Sequence, residues 1–385
     1  MDKKKEISFN LNNFLLALSL PLDYVRKFKC SSPLNHSKRV TYIALNIGKQ
    51  LNLTPQEMSD LCSYSLLHSI GLLSSSNLSK EYCEASNNIA DIFPFLLDKK
   101  NILKYQNEYF DGSGIYGLKD EQIPLLSQIL SLSITIENRF DLSQLAVKDR
   151  AEVIEFVKSC QNELFSKDLV DIFLLISERI NFWLDLQNEN EILYFIFANL
   201  YDFTITLKFE ELLKITSSIF ELTNKESKLL INLEKMIDFY KFEHKDKFTF
   251  LIAASLCGIG KLCIDPQIIN KKTELEKWEY EDIKSYPYFT KRVLTNIMGF
   301  DDISSWAIKI QERQNGKGYP FSLKGKDLSL KDRLLAAVNS FSALTSNKVY
   351  RKAYSKDEAI SILKNSAEVD DCYDLSIIQD LEKVL

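Results

Sequence analysis

The segment from His36 to Glu57, HSKRVTYIALNIGKQLNLTPQE, decides the class of fold. Val40, Ile43, Ala44, Ile47 and Leu51 recur at helical spacing and mark one apolar face. Thr54 then caps a new segment, with Pro55 at the first helical position, where a missing N–H costs nothing. The same spacing returns at Leu229, Leu233, Met236 and Tyr240. VDIFLLISERINFWLDL (170–186) and EILYFIFANLY (191–201) are long apolar runs. Period-two alternation is rare, and YDFTITLKF (201–209) is the best candidate for a strand or an extended linker. The chain reads as all-α.

Its 385 residues allow two or three domains. A hydrophobic content of 45% with 26% charged residues is that of a soluble globular protein. The 11 glycines and 8 prolines are too few for low-complexity linkers or a many-turned all-β fold. No apolar run of about 18 residues signals a membrane span, and the charged start MDKKKEISFN is not a secretory signal. A net charge of −5 without a basic block argues against a sequence-independent nucleic-acid binder. The seven cysteines form no C-x-x-C pair, which fits reduced thiols in the cytoplasm. The three histidines are too few for any multi-histidine metal centre.

The glycines reveal the organisation. Gly71, Gly112, Gly114 and Gly117 are echoed by Gly258, Gly260, Gly316, Gly318 and Gly325. Glycine is placed where the backbone needs positive φ or close approach, so a repeated set predicts a repeated loop. FDGSGIYGLKDEQIPL, from Phe110, parallels QNGKGYPFSLKGKDLSL, from Gln314, with Gly112 and Gly316 offset by 204 residues. Upstream, YSLLHSIG (64–71) parallels ASLCGIG (254–260) at an offset of 189. The first copy is therefore 15 residues shorter between its two motifs, a shortfall expected between Gly71 and Gly112. These parallels predict two tandem helical domains, 1–188 and 189–385, arising from an internal duplication, with the boundary near the polar QNEN (187–190).

Both halves resemble HD-GYP domains, the helical phosphodiesterases that hydrolyse cyclic di-GMP in bacteria. The family pattern opens with His-Ser-x-Arg-Val, here His36-Ser37-Lys38-Arg39-Val40. It continues with Leu-Leu-His-Asp-x-Gly-Lys, a histidine pair before a GSGYP-x-GLKG loop, and an Asp-x-Phe-Asp-Ala-Leu-Thr-Ser segment. AAVNSFSALTSNKVYRKAYS (336–355) is similar to the closing part. The resemblance implies an all-α fold of two HD-GYP-like bundles. It also implies a site of two or three metal ions held by imidazoles and carboxylates, whose bridging water becomes the hydroxide that attacks a phosphodiester.

At those metal positions the sequence departs from the family. In the second half the His-Asp pair becomes Cys257 and Gly258, the next histidine becomes Tyr286, the paired histidines become Ile310 and Gln311, and the later aspartate becomes Asn339. The first half keeps His36 and His68, but the aspartate becomes Ser69, the paired histidines become Gln106 and Asn107, and the later aspartate becomes Ile134. No metal and no cofactor is expected. His36 opens a helix beside Ser37, where a capping or surface role suits it equally well, and His68 on its apolar helix reads as a buried histidine. The GYP-type loops, with Gly112, Gly114, Gly117 and Lys119 in one half and Gly316, Gly318, Tyr319, Pro320 and Lys324 in the other, read as turns packed on the helices.

The second half also keeps Lys261, where the family lysine contacts substrate phosphate, while the first has Leu72 there. Arg333 and Arg351 are kept as well, and Lys348 stands where the family usually has an arginine. Lys261 and Lys348 together can bind a dianionic dinucleotide; as surface charges or helix-end caps these cations would do nothing of the kind. If a ligand binds, Lys261 should lie close to Tyr286 and Gln311, whereas the loss of polarity at Ile310 and Gly258 points to a closed pocket. The expectation is a catalytically inactive, HD-GYP-like signalling protein acting through a protein partner, with a diguanylate cyclase domain suggested by the loop resemblance. A receptor for cyclic di-GMP or another nucleotide is the alternative, and a residual metal-dependent phosphodiesterase the third reading. Neither nucleic acid nor membrane is an expected partner, and a homodimer is compatible with the apolar helices.

Overall fold

The computed structural model describes residues 6–75, 77–97, 99–224, 227–348 and 351–385. Its elements are helices apart from two strands among the described residues, Glu6–Asn10 and Thr204–Lys208, which pair as one small sheet. The chain divides into two compact units, 10–204 and 205–385, the second joined by residues 1–9. The QNEN stretch lies within the first unit, where Asn188 caps the helix Glu189–Asn199 and Glu189 and Asn190 begin it.

The first unit is organised around the helix His36–Gln50, whose residues are buried from His36 to Gly48. A helix buried on every face is the core of its bundle. It packs against Pro55–Leu67 and Leu125–Arg139. Pro55–Leu67 starts as its sequence requires: Thr54 accepts from the Glu57 N–H, the Glu57 side chain returns to Thr54, and Pro55 occupies the first turn. The run 170–186 is broken into the helices Lys167–Ser177 and Ile180–Asp185.

In the second unit, His244–Leu256 is the buried helix, covered from Thr249 to Leu256, and packs against Phe209–Thr223 and Asp301–Ala307. Residues 201–209 supply the expected strand over Thr204–Lys208. Its partner, Glu6–Asn10, was not legible in the charged N-terminal segment.

The two units repeat several local contacts. The Gly71 N–H donates to Ser86 Oγ at 3.1 Å, and the Gly260 N–H donates to Thr290 Oγ1 at 3.1 Å. A Cβ at Gly71 would lie 2.3 Å from the Tyr82 carbonyl oxygen, and one at Gly260 2.0 Å from that of Tyr286, so both positions admit only glycine. Tyr82 and Tyr286 are already offset by 204 residues. The change of offset from 189 to 204 residues between these contacts therefore falls between Gly71 and Tyr82, a narrower interval than Gly71 to Gly112. The second unit fills the matching interval with the helices Pro266–Ile269 and Lys277–Lys284.

Candidate functional site

In the first unit the retained imidazoles lie side by side with ring centroids 5.2 Å apart. His36, expected to cap or to face solvent, is instead fully buried, and Asn35 is the helix cap. Neither of its ring nitrogens makes a hydrogen bond, and Nδ1 stands 3.7 Å from Glu137 Oε1. His68 is buried as expected. Its Nδ1 donates to the Ser65 carbonyl at 2.6 Å, which leaves Nε2 to accept from the Ser69 hydroxyl at 3.0 Å. Ser69 Oγ in turn accepts from Arg26 Nη1 at 3.2 Å, and Arg26 Nη2 donates to Asn138 Oδ1 at 2.5 Å.

The surroundings of this pair are charged. Arg39 Nε donates to Glu137 Oε1 at 2.5 Å, with both side chains buried. Asp23 is also buried and accepts from the N–H and hydroxyl of Ser37 at 3.0 and 2.7 Å. Burial, reinforced by the Arg26 guanidinium, holds His36 well below its ordinary pKa and His68 down at about 3. Burial pushes the Glu137 carboxyl up against the pull of Arg39. Gln106 Nε2 reaches the His68 carbonyl at 3.5 Å, Asn107 Nδ2 lies 3.6 Å from Cys83 Sγ, and Ile134 and Leu72 are buried in the core. Metal ions do not fit this set. The His68 lone pair is already used, and the free nitrogens of His36 face the Arg26 and Arg39 cations, which repel a dication.

In the second unit Cys257 is buried, and its thiol donates to the Ala254 carbonyl at 3.1 Å. Burial raises its pKa to about 11, so the sulfur stays protonated and is a poor ligand. Tyr286 is buried, and its Oη accepts from Gln311 Nε2 at 2.9 Å. Lys261 extends over the Tyr286 ring, with Nζ 5.1 Å from the centroid. The expected grouping of Lys261, Tyr286 and Gln311 is therefore present. Ile310 is buried, and the Lys261 side chain packs over Gly258, where an added Cβ would lie 3.8 Å from Nζ. A neutral thiol, an amide, a phenol and an ammonium do not make a metal centre either. No group of three or more His, Cys, Asp or Glu able to hold a metal occurs among the described residues.

The other cations are placed elsewhere. Arg333 Nη1 bonds Asp374 Oδ2 at 2.8 Å, tying the helix Leu330–Leu344 to the cap of Leu375–Val384. Arg351 donates to the carbonyls of Ala343 and Leu344 at 2.7 and 3.0 Å, closing the end of Leu330–Leu344. Lys348 is exposed and bridges to Arg351 through its backbone. Asn339 lies half-buried on Leu330–Leu344.

Each GYP-type loop is held by a buried glutamate that the motif reading overlooked. Glu108 accepts from the N–H groups of Tyr116 and Leu118 at 2.6 and 2.8 Å, and Glu312 from those of Phe321 and Leu323 at 2.7 and 2.9 Å. Gly112, Gly117 and Gly316 have φ of +84°, +72° and +76°. Gly318 lies so close to the chain that a Cβ would stand 2.3 Å from the Arg313 nitrogen, and the Tyr319–Pro320 bond is cis. Lys119 and Lys324 each begin a short helical turn through their backbone N–H, bonded to Gln122 and Asp327, and the Lys119 stem covers Gly112. Glu108 and Glu312 share the offset of 204 residues, so the repeat itself was the signal that could have found them. Asp23 and Arg26 belong to no repeat and are found only by folding the chain.

Residues 210–377 match the HD domain family. Over 94% of its length the chain is 22% identical to 3'3'-cGAMP-specific phosphodiesterase 1 of Vibrio cholerae, covering 88% of that protein. It is 21% identical to 3'3'-cGAMP-specific phosphodiesterase 3 of the same organism, over 93% of this chain and 91% of that one. The cyclic di-GMP phosphodiesterase PdeB of Borreliella burgdorferi is 29% identical over 30% of the chain. A crystal structure of a cyclic GMP-AMP-specific phosphodiesterase of Vibrio cholerae, V-cGAP3, shares the fold with a TM-score of 0.70 at 18% identity, covering 98% of this chain and 99% of that one. The chain is thus homologous to phosphodiesterases of the HD-GYP type. This overturns the expectation of a catalytically inactive signalling protein: the relatives that run along nearly the whole chain are named as phosphodiesterases, and nothing in the structure shows inactivity.

Proposed function

We propose that this chain is a cyclic-dinucleotide phosphodiesterase, with a 3'3'-linked cyclic GMP-AMP as its first candidate substrate and cyclic di-GMP as its second. The observation that carries this reading is the likeness to two cGAMP-specific enzymes along almost the full chain. Hydrolysis adds water across one P–O bond and opens the ring to a linear dinucleotide ending in a phosphomonoester. The residues of the second unit supply binding and charge neutralisation through Lys261, a cation packed over Gly258 and the Tyr286 ring. The metal-ligand positions do not fit a metal, so the activation of the water is not assigned to one. We further read the two units as copies of one ancestral domain, supported by the paired glycine and glutamate contacts. A protein partner such as a diguanylate cyclase domain rests on the loop resemblance alone. A cytoplasmic setting rests on the seven free cysteines; no described helix is long and apolar enough to cross a membrane.

Purified protein incubated with each dinucleotide, followed by chromatography of the products, tests the reading. The expected result is linear dinucleotide from 3'3'-cGAMP, reduced at least tenfold in Lys261→Met. Intact substrate after prolonged incubation, across a panel of divalent ions and with none added, overturns it.

A further inference from the structure

Two of the residues that stand where the family would place metal ligands in the second unit, Tyr286 and Gln311, are joined into a hydrogen-bonded relay. Arg313 Nη2 donates to Gln311 Oε1 at 3.1 Å, which fixes the orientation of the Gln311 amide. Gln311 Nε2 must then point the other way, and it donates to Tyr286 Oη at 2.9 Å. The phenol oxygen is thereby an acceptor within the relay, and its own O–H donates to no group among the described residues. Arg313 is itself held in place: its Nη1 donates to the Glu312 carbonyl at 2.8 Å, its Nη2 reaches Ser340 Oγ at 3.4 Å, and its guanidinium lies 4.8 Å from the Tyr373 ring centroid. Tyr373 closes the set by donating to Ser340 Oγ at 2.8 Å. At the other end, Lys261 Nζ lies over the Tyr286 ring and makes no ion pair among the described residues. The Lys261 side chain packs over Gly258 at van der Waals distance, 3.8–3.9 Å from where a Cβ would stand.

We propose that Tyr286 is a binding residue of the second unit, donating its O–H beside the Lys261 ammonium to a non-bridging oxygen of one phosphodiester, with Gln311 and Arg313 as positioning residues that aim the phenol. The proposal rests on the cyclic-dinucleotide reading and deepens it. A buried phenol and a half-buried ammonium suit an anion because each presents a proton and neither presents a negative charge. The relay does with hydrogen-bond donors what the family site would do with cations, so binding needs no divalent ion.

Binding of 3'3'-cGAMP and cyclic di-GMP by isothermal titration calorimetry tests this, with the full-length chain in buffer containing a chelator and in buffer containing Mn²⁺. The expected result is a dissociation constant that differs less than threefold between the two buffers. Tyr286→Phe should weaken binding about tenfold, the scale of one hydrogen bond to a charged partner. Arg313→Met should weaken it by several-fold only while Tyr286 is present, so that the double variant is no worse than Tyr286→Phe. That non-additivity is not expected of a merely structural arginine. Thermal unfolding midpoints separate misfolding from lost contacts, and Tyr286→Trp, which changes the relay while keeping an aromatic ring under Lys261, gives a second route if Arg313→Met does not fold. Wild-type protein that binds with Tyr286→Phe unchanged overturns the pocket and leaves the phosphodiesterase reading standing. Binding that vanishes with chelator also overturns the pocket alone. Wild-type protein that binds neither dinucleotide in either buffer overturns both.

Discussion

In the first unit the interior between the two long helices is charged: Arg39 on His36–Gln50 is paired with Glu137 on Leu125–Arg139, with Arg26, His36 and His68 beside them. In the second unit the matching helices, Leu229–Phe239 and Leu330–Leu344, are joined by a neutral hydrogen bond from Asn232 Nδ2 to Ser342 Oγ at 2.9 Å. The first unit thus holds a centre closed by the Arg39–Glu137 pair, and the second a neutral contact, with a lysine packed over Gly258. A buried ion pair is expensive to break because the surviving partner is left uncompensated, whereas a neutral pair loses little more than its own bond. The first centre therefore resists change, and the second is free to serve a ligand.

Arg39→Met should show the largest effect, since it leaves the buried Glu137 carboxyl and the neighbouring buried polar groups without their partner. A loss of about 3–5 kcal/mol is expected in urea unfolding. Asn232→Ala should cost only about 1 kcal/mol in the same measurement. Equal losses would erase the contrast between the units.

The next largest effects should be shared by both units. Gly71→Ala and Gly260→Ala each drive a methyl into a carbonyl oxygen, and about 1–3 kcal/mol or more should be lost in each. Thermal unfolding of the two variants checks this. A tolerated Gly71→Ala would mean that the packing after the first motif differs between the units.

Acid should act on the first unit through its buried imidazoles. His36 and His68 are held neutral in the folded chain, His68 with its pKa down at about 3. The unfolded chain takes up those protons below pH ~6.5. Stability is therefore complete with respect to these groups above that pH and declines as pH falls from about 6.5 toward 3, by up to about 1.4 kcal/mol per pH unit for each imidazole. Glu137 acts in the opposite sense: its raised carboxyl costs stability as pH rises from its ordinary range through the folded value of about 8. Comparing wild type with His68→Asn at pH 7 and pH 5 cancels the Glu137 contribution. The variant should lose less on acidification, and identical losses would sink the assignment.

The smallest effect is expected at Gly258→Ala, within about 0.5 kcal/mol of wild type, because the added methyl meets nothing nearer than 3.8 Å. A large destabilisation there would show that the space beside Lys261 is filled.

The amino-acid sequence on its own determined the helical class, the cap at Thr54 and Pro55, the strand within 201–209 and the two loops held by glycine and glutamate. All of these depend on local propensity, on periodicity or on the identity of a residue in a motif. It also led toward an inactive protein, because a motif reading registers lost ligands and does not weigh descent along the whole chain, which the relatives supply. The tertiary structure alone decided what replaced those ligands. Arg26 is 43 residues from Ser69 in sequence and Arg39 is 98 residues from Glu137, so no spacing rule connects them. Gln311 and Tyr286 are 25 residues apart, and their hydrogen bond exists because Tyr286–Leu294 packs beside the segment that follows Asp301–Ala307. Burial makes these contacts strong and shifts their proton affinities. It is a property of the folded interior, set by which helices cover a side chain, and a linear pattern does not contain it.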